Sequence, residues 1–100
     1  GGCIRALKAL VTGECDIAWA LVRPPAHHAL TDRAGGFCIF NTLAVTARHA
    51  MRAYGYDRIL ILDWDIHHGN GVHDIFYKDQ RVWYFSSHDP MLYPYTGEWE

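Results

Sequence analysis

Two carboxylates and two histidines stand close together in DWDIHHGNG, residues 63–71, directly after the apolar run RILIL. In an extended segment alternate side chains point the same way, so Asp63, Asp65 and His67 share one face. A carboxylate and an imidazole two residues apart can bind a single ion, and Zn²⁺ accepts oxygen and nitrogen ligands at about 2.0–2.2 Å. The spacing therefore predicts Asp65 and His67 as ligands of one metal ion.

Asp63 lies deeper in the same predicted strand. An ionised carboxylate is costly to bury unless it is paired or hydrogen-bonded. We therefore expect Asp63 to have a partner, either a second cation or the N–H of an imidazole. A simpler interpretation of the motif stays open, in which its acids cap the short helix that follows and its histidines face solvent.

A second histidine pair, His27 and His28, follows the proline stop at Pro24 and Pro25. If both imidazoles were buried without partners, their ring nitrogens would be unsatisfied, so an idle buried pair is not expected. A further polar group, SSHD at residues 86–89, follows another apolar run. Ligands of open parallel sheets bind beyond the carboxyl ends of the strands, and polar groups after three predicted strands therefore favour an active site there.

The elements that must position these groups alternate between strands and helices. Apolar spacing predicts a helix over residues 3–12, and another through residue 54 that begins at the N-cap Asn41 and ends at Gly55. Short apolar runs predict strands over residues 16–22, 58–65 and 81–88, and a short helix is predicted over residues 72–78. This order predicts an α/β fold with a parallel sheet. Four aromatic residues are expected to pack between sheet and helices: Trp19, Trp64, Trp83 and Tyr84.

The composition is that of a globular domain. The 100 residues carry a net charge of −2 and are 50% hydrophobic, with no cluster of Lys or Arg and no apolar run long enough to span a membrane. Neither a nucleic acid nor a membrane is therefore an expected partner. Three cysteines without C-x-x-C spacing indicate a reducing compartment, the cytoplasm or in a eukaryote the nucleus. The opening residues read as the middle of a helix, so we expect a segment of a longer protein.

Three motifs together resemble the zinc-dependent histone deacetylase family. They are RPPAHHA at residues 23–29, GGFCIFN at 35–41 and DWDIHHGNG at 63–71. Their order and separations are similar to those of the class II and bacterial branch, which includes acetylpolyamine amidohydrolases. The resemblance implies the arginase–deacetylase fold, a three-layer α/β/α arrangement around a parallel sheet. The chain would form a central segment of that catalytic domain.

The resemblance also implies roles for individual residues. His27 and His28 match the catalytic histidine pair, Asp63 matches the residue that orients the first histidine, and Asn70 occupies a place where some members have Asp. Asp65 and His67 match two of the three zinc ligands. The third ligand, an Asp, and a carbonyl-polarising Tyr lie farther along in the family, so this segment alone is expected to bind zinc poorly and to catalyse little or nothing.

Monovalent cations and the substrate have matching positions as well. A structural potassium site is implied at Asp63, Asp65, His67, Ser86 and Ser87. A second, more peripheral monovalent site is implied at the backbone of Phe76, Asp79 and Val82. One wall of an acyl-lysine tunnel is implied at Gly36 and Phe37, with Tyr93 opposite, where the family usually has Phe. For Phe37 and Tyr93, ordinary packing is the alternative interpretation.

The implied reaction is hydrolysis of an acyl amide, with an acetyl-lysine protein or an acetylated polyamine as substrate. His28 is assigned as the general base, and His27, paired with Asp63, as the histidine more often protonated. A non-catalytic member of the family, acting as a binding domain, is one alternative. An arginase-like ureohydrolase with two manganese ions is another, but its D-A-H-x-D pattern needs a carboxylate where this chain has Gly69. The sequence leaves the oligomeric state open.

Overall fold

A computed structural model of the protein describes residues 1–98. The elements follow in the order α1 (Gly2–Val11), α2 (Thr42–Tyr54), β1 (Ile59–Asp63), α3 (Asn70–Phe76) and β2 (Val82–Ser86). The two strands pair in parallel, with Ile59 opposite Val82 and Asp63 opposite Ser86. A crossover through α3 joins them, and the predicted α/β class with parallel pairing is confirmed.

The long helix α2 has the boundaries that its capping residues predict. The Asn41 side chain accepts a hydrogen bond from the Ala44 N–H at 3.0 Å, which satisfies one of the free amides of the first turn. At the other end, Gly55 adopts a left-handed conformation with φ of 74°, which glycine allows without steric cost. Small residues on one face of α2, among them Ala44 and Ala47, let this helix approach the core closely.

The core lies between one face of the sheet and the helices α2 and α3. Alternate strand residues point toward it, Ile61 from β1 and Val82 from β2, and α3 contributes Val72 and Phe76. The opposite face of the sheet is apolar and exposed, with Leu60, Leu62, Trp83 and Phe85 on it. Apart from the predicted second monovalent site, the site residues lie at or just after the carboxyl ends of β1 and β2, at the start of α3, or in the loop between α1 and α2.

The predicted strand over residues 16–22 is wrong. This segment forms neither a strand nor a helix, and Ile17, Trp19 and Leu21 are 76%, 81% and 92% exposed. A buried parallel strand needs a neighbouring strand for its backbone hydrogen bonds and a layer over each face. Within residues 1–98 this run has neither, so its apolar character alone does not make it a strand.

The expected packing of the tryptophans is also wrong. Trp19, Trp64 and Trp83 are all largely exposed, because they lie on the apolar segment or the sheet face that other described elements leave uncovered. Tyr84 alone among the four points toward the core. None of the helices within residues 1–98 is long and apolar enough to cross a bilayer.

Candidate active site

The loop that carries the histidine pair is held by hydrogen bonds to two of its backbone carbonyls, those of His27 and Ala29. The carbonyl of His27 accepts hydrogen bonds from the amides of Gly71 at 2.9 Å and Val72 at 3.2 Å, at the start of α3. A side chain on Gly71 would collide with the backbone of His27 and Ala29, so only glycine allows this approach. The side-chain amide nitrogen Nδ2 of Asn41 donates to the Ala29 carbonyl at 3.0 Å. The loop that carries both histidines is thus fixed to two helix starts.

His27 and Asp63 form a buried pair. The Nδ1–H of His27 donates to Asp63 Oδ2 at 2.8 Å, and the two residues are 8% and 9% exposed. Burial disfavours the charged form of both groups, but their mutual hydrogen bond and charges outweigh it. As a result the pKa of His27 is raised and that of Asp63 is lowered. Asp63 has the imidazole N–H partner that its burial requires.

His28 sits in a different environment although it is the next residue. Its Nδ1 lies 2.9 Å from Asn70 Oδ1, which can only accept, so the proton is on Nδ1 and Nε2 keeps a free lone pair. Burial lowers the pKa of His28; the Asn70 hydrogen bond opposes this shift, and the neighbouring His27 and His67 reinforce it. The net pKa lies below the ordinary value of 6.5, which favours the neutral ring.

Asp65 and His67 lie next to each other beside the histidine pair. Asp65 Oδ1 accepts the His67 backbone N–H at 2.8 Å and lies 3.0 Å from His67 Nδ1. The same oxygen is 3.9 Å from His27 Nε2, and the His67 and His28 ring centroids are 6.1 Å apart. Burial would raise the pKa of Asp65, but the hydrogen bonds from His67 outweigh it and lower the pKa.

This donor pair fits zinc in its chemistry and its position. A carboxylate oxygen and an imidazole nitrogen are both ordinary zinc ligands, and here they approach each other within reach of one ion. Residues 1–98 contain no group of three His, Cys, Asp or Glu side chains that could hold a metal ion. Asp65 and His67 would thus be two ligands of a zinc site, fewer than the four that zinc usually takes.

Two of the three predicted substrate-binding residues, Gly36 and Tyr93, lie against His28. The Tyr93 ring meets His28 edge to face, with ring centroids 5.0 Å apart. Gly36 lies against both rings, and a side chain there would strike both the His28 ring and the Tyr93 ring. Phe37 is 94% exposed and has a φ of 64°, a strained conformation for a bulky residue, so it does not serve as ordinary core packing.

The predicted potassium ligands lie at the carboxyl ends of both strands. The Asp63 carbonyl accepts the Ser87 N–H at 3.0 Å, which brings the end of β2 against that of β1. The Ser86 hydroxyl lies 2.7 Å from His88 Nδ1. The pairing of Asp63 with Ser86 and the hydrogen bond from Ser87 therefore place three of the five predicted ligands of this ion side by side.

The residues of the predicted second monovalent site lie apart from the histidine pair. Phe76 and Val82 belong to the hydrophobic core, and Asp79 stands in the turn between α3 and β2. In that turn the Phe76 carbonyl accepts the Asp79 N–H at 2.9 Å, and the Asp79 carbonyl accepts the Val82 N–H at 3.1 Å. The Asp79 carboxylate pairs with Arg48 and Arg81, which hold its pKa far below the usual range.

Three side chains that fix the site or the loop beside it, those of Tyr84, His68 and His88, have no site role in the sequence analysis. The Tyr84 hydroxyl donates to Asp63 Oδ2 at 2.7 Å, although Tyr84 was expected to serve as packing. The buried His68 lies 2.8 Å from Thr96 Oγ1, and His88 Nε2 donates to the Gly97 carbonyl at 2.9 Å, which together fix the loop that carries Tyr93. Strand alternation gives one signal for Tyr84, because it shares a face with Ser86, which pairs with Asp63.

Known proteins match this chain along its whole length. The sequence model of the histone deacetylase domain matches residues 1–100. The chain belongs to the histone deacetylase family. It is 47% identical over 97 residues to a probable deacetylase of Archaeoglobus fulgidus, covering 97% of this chain and 27% of that protein. It is 51% identical over 88 residues to the polyamine deacetylase HDAC10 of Rattus norvegicus, covering 88% of this chain and 15% of that protein.

The fold of this histone deacetylase segment is that of a solved relative. The crystal structure of the HDA15 HD domain superimposes with a TM-score of 0.90 at 43% identity, covering 96% of this chain and 28% of that one. The resemblance to the family and the implied deacetylase fold are thereby confirmed. The chain spans about a quarter or less of the length of these relatives.

Proposed function

We propose that the full-length protein is a zinc-dependent deacetylase that hydrolyses the acyl amide of an acetylated lysine or an acetylated polyamine. The observation that carries this proposal is the pair of adjacent histidines with different partners, one on a carboxylate and one on an amide, beside Asp65 and His67. The proposed acid–base mechanism uses a neutral imidazole as the base and a protonated imidazole beside it, and these partners favour that division.

The metal site of this proposal has two ligands in the chain, Asp65 and His67, and holds one zinc ion per full-length protein. A bound zinc ion supplies Lewis acidity, which activates water near neutral pH. We propose that residues 1–100 form a central segment of the catalytic domain, and that a further Asp ligand and a carbonyl-polarising Tyr come from outside it. Potassium at the ends of β1 and β2, and a second monovalent ion near Asp79, would have structural roles.

In this mechanism His28 is the general base. Its free Nε2 accepts a proton from the attacking water and later returns one to the leaving amine, while Nδ1 stays hydrogen-bonded to Asn70. His27 keeps its proton because Asp63 faces it, and its positive charge stabilises negative charge that develops on the substrate oxygen. Neither histidine has to change its hydrogen-bond partner during the reaction.

The substrate is proposed to enter between aromatic side chains. Tyr93 against His28 forms one side, and the exposed Phe37 is free to form the other. A slender, uncharged acyl-amine stem suits such a passage. Two relatives support this substrate class by name, the polyamine deacetylase HDAC10 of rat and the histone deacetylase HDA1 of Saccharomyces cerevisiae. A protein with an acetylated lysine and an acetylated polyamine are therefore the substrates to test first.

The experiment that tests the function compares the full-length protein with its His28→Ala variant. Hydrolysis of an acetyl-lysine peptide and of acetylated polyamines is expected for the wild type and is expected to stop when a chelator removes the metal. The variant is expected to lose at least about 99% of kcat, as loss of a general base does, while its zinc content stays unchanged. His49→Ala serves as the matched control, because His49 lies on α2 and its ring packs on Tyr54. Undiminished turnover by His28→Ala would refute this role.

A further inference from the structure

We propose that Tyr84 is a positioning residue for catalysis: its hydroxyl fixes the carboxylate of Asp63 and through it the ring of His27. This inference rests on the proposed function, in which His27 faces the reacting atoms. Tyr84 lies on β2, and its hydroxyl contacts Asp63 and the Gly69 N–H rather than His28, the proposed base, so its effect on catalysis is exerted through Asp63.

The hydrogen bonds around Asp63 show why its orientation depends on Tyr84. Asp63 Oδ2 accepts from the Tyr84 hydroxyl at 2.7 Å and from His27 Nδ1 at 2.8 Å, whereas Oδ1 accepts the Asp65 N–H at 3.2 Å. Three donors thus fix the plane of one carboxylate. The Tyr84 bond is the shortest of the three, and it is a hydrogen bond to a charged acceptor, a strong type.

The tyrosine hydroxyl is also held from its other side. It accepts the backbone N–H of Gly69 at 3.1 Å. A side chain at Gly69 would collide with both the hydroxyl and the Asp63 carboxylate, so this glycine makes the space that the contact occupies. A phenol carries its proton near neutral pH, so the hydroxyl donates to the carboxylate, which has only acceptor oxygens.

The Tyr84 hydroxyl therefore orients the Asp63 carboxylate, which the aromatic ring alone cannot do. Phenylalanine at this position would keep the packing against the core, but it would leave the Gly69 N–H without this acceptor and Asp63 Oδ2 with one donor fewer. The carboxylate could then rotate, and His27 would lose its fixed direction. Small errors in the placement of a catalytic group reduce turnover more than they reduce binding.

The test uses the full-length protein with Tyr84→Phe, Asp63→Asn and the double variant. We expect Tyr84→Phe to lower kcat about tenfold and to change KM by less than about twofold. In the Asp63→Asn background, removing the hydroxyl is expected to cause no further loss, because both changes act through the same carboxylate. Tyr77→Phe, on an exposed tyrosine that stacks on His73, is the matched control and should behave as the wild type. Equal losses in both backgrounds, or an unchanged kcat, would overturn the assignment.

A measurement without turnover separates this inference from the proposed function. In histidine-labelled full-length protein, Tyr84→Phe should shift the ring nitrogen resonances of His27 and leave those of His49 in place. If Tyr84→Phe does not fold, 3-fluorotyrosine at position 84 keeps the hydroxyl and strengthens it as a donor, and the same resonances should shift. Unchanged His27 resonances in the variant that folds contradict the positioning role. A wild type that hydrolyses no acyl amide would instead contradict the proposed function.

Discussion

His27 and His28 show how two identical neighbours acquire different chemistry. Their ring centroids are 4.1 Å apart, so both share the same general surroundings. The difference comes from one atom of each partner: His27 faces a carboxylate oxygen of Asp63, and His28 faces an amide oxygen of Asn70. The charge of the first partner raises the pKa of His27, whereas the neutral second partner leaves burial to lower that of His28.

Changing Asn70 to Asp should therefore change the pH profile. A carboxylate beside His28 Nδ1 favours the protonated ring, and such a charge typically raises a pKa by about one unit or more. Because the base works only when neutral, the acidic limb of kcat/KM in the full-length protein is expected to move to higher pH. Gln80→Glu adds the same charge at an exposed site and should leave the limb in place. An acidic limb that stays or moves to lower pH would contradict the contact with His28.

The need of Asp63 for a partner could be predicted from its sequence position, since a buried carboxylate must be compensated. The identity of that partner, His27, could not be predicted from the position of Asp63, because the two residues are 36 positions apart. It follows only from the family resemblance or from the three-dimensional structure. Tyr84 was missed for a physical reason. An apolar ring in a strand predicts packing, and the ring of Tyr84 does pack, but its function lies in the single hydroxyl at the end of it.

At the scale of elements, Asn41 joins two functions. Its oxygen caps α2 through the Ala44 N–H, while its amide nitrogen donates to the carbonyl of Ala29, the residue after the histidine pair. The cap could be predicted from the residue type and the helix that follows it. The second bond could not, because it depends on how the loop folds back over the helix start.

We expect Asn41→Ala to lower the free energy of unfolding of the full-length protein by about 2 kcal/mol, about 1 for the cap and about 1 for the second hydrogen bond. Asn41→Asp is the matched variant, because it keeps an oxygen for the Ala44 N–H but has no N–H for the Ala29 carbonyl. It should lose kcat and retain most of the capping. Urea unfolding and turnover measure the two effects separately, and a wild-type kcat in Asn41→Asp would show that the Ala29 contact is idle.

The segment over residues 16–22 marks the limit of pattern reasoning for elements. Its apolar run is as strong as that of β1, yet only β1 has a strand beside it within residues 1–98. Hydrophobicity indicates that a segment is suited to burial, whereas a strand also requires a hydrogen-bonding neighbour. The helices were easier to predict because their backbone bonds lie within each helix and their ends carry specific residues.

At the scale of the molecule, the chain supplies an incomplete donor set. Asp65 and His67 approach within 3.0 Å, but no group of three candidate ligand side chains occurs in residues 1–98. In the proposed function, the residues for acid–base chemistry are more fully assembled than those for the metal. The proposed active site would therefore combine parts that this segment positions by itself with parts that depend on more distant residues.

We accordingly expect the 100-residue chain by itself to bind zinc at least about a hundredfold more weakly than the full-length protein, because a two-ligand site lacks the coordination that zinc prefers. Competition with a chromogenic chelator measures both affinities. His67→Ala should reduce the affinity of the full-length protein sharply, and His49→Ala should leave it unchanged. Equal affinity of the short chain and the full-length protein would mean that Asp65 and His67 are not part of a larger site.

The crowded position of Gly36, against the rings of both His28 and Tyr93, limits how the proposed enzyme can be diversified. Any substitution there pushes a β-carbon into the ring of the proposed base, so we expect a library that randomises this codon to contain mostly inactive members. Phe37 is largely exposed, and a change of its side chain meets no comparable crowding. Laboratory evolution toward longer acyl chains should therefore keep the glycine fixed and sample the two aromatic positions proposed to flank the entrance, Phe37 and Tyr93.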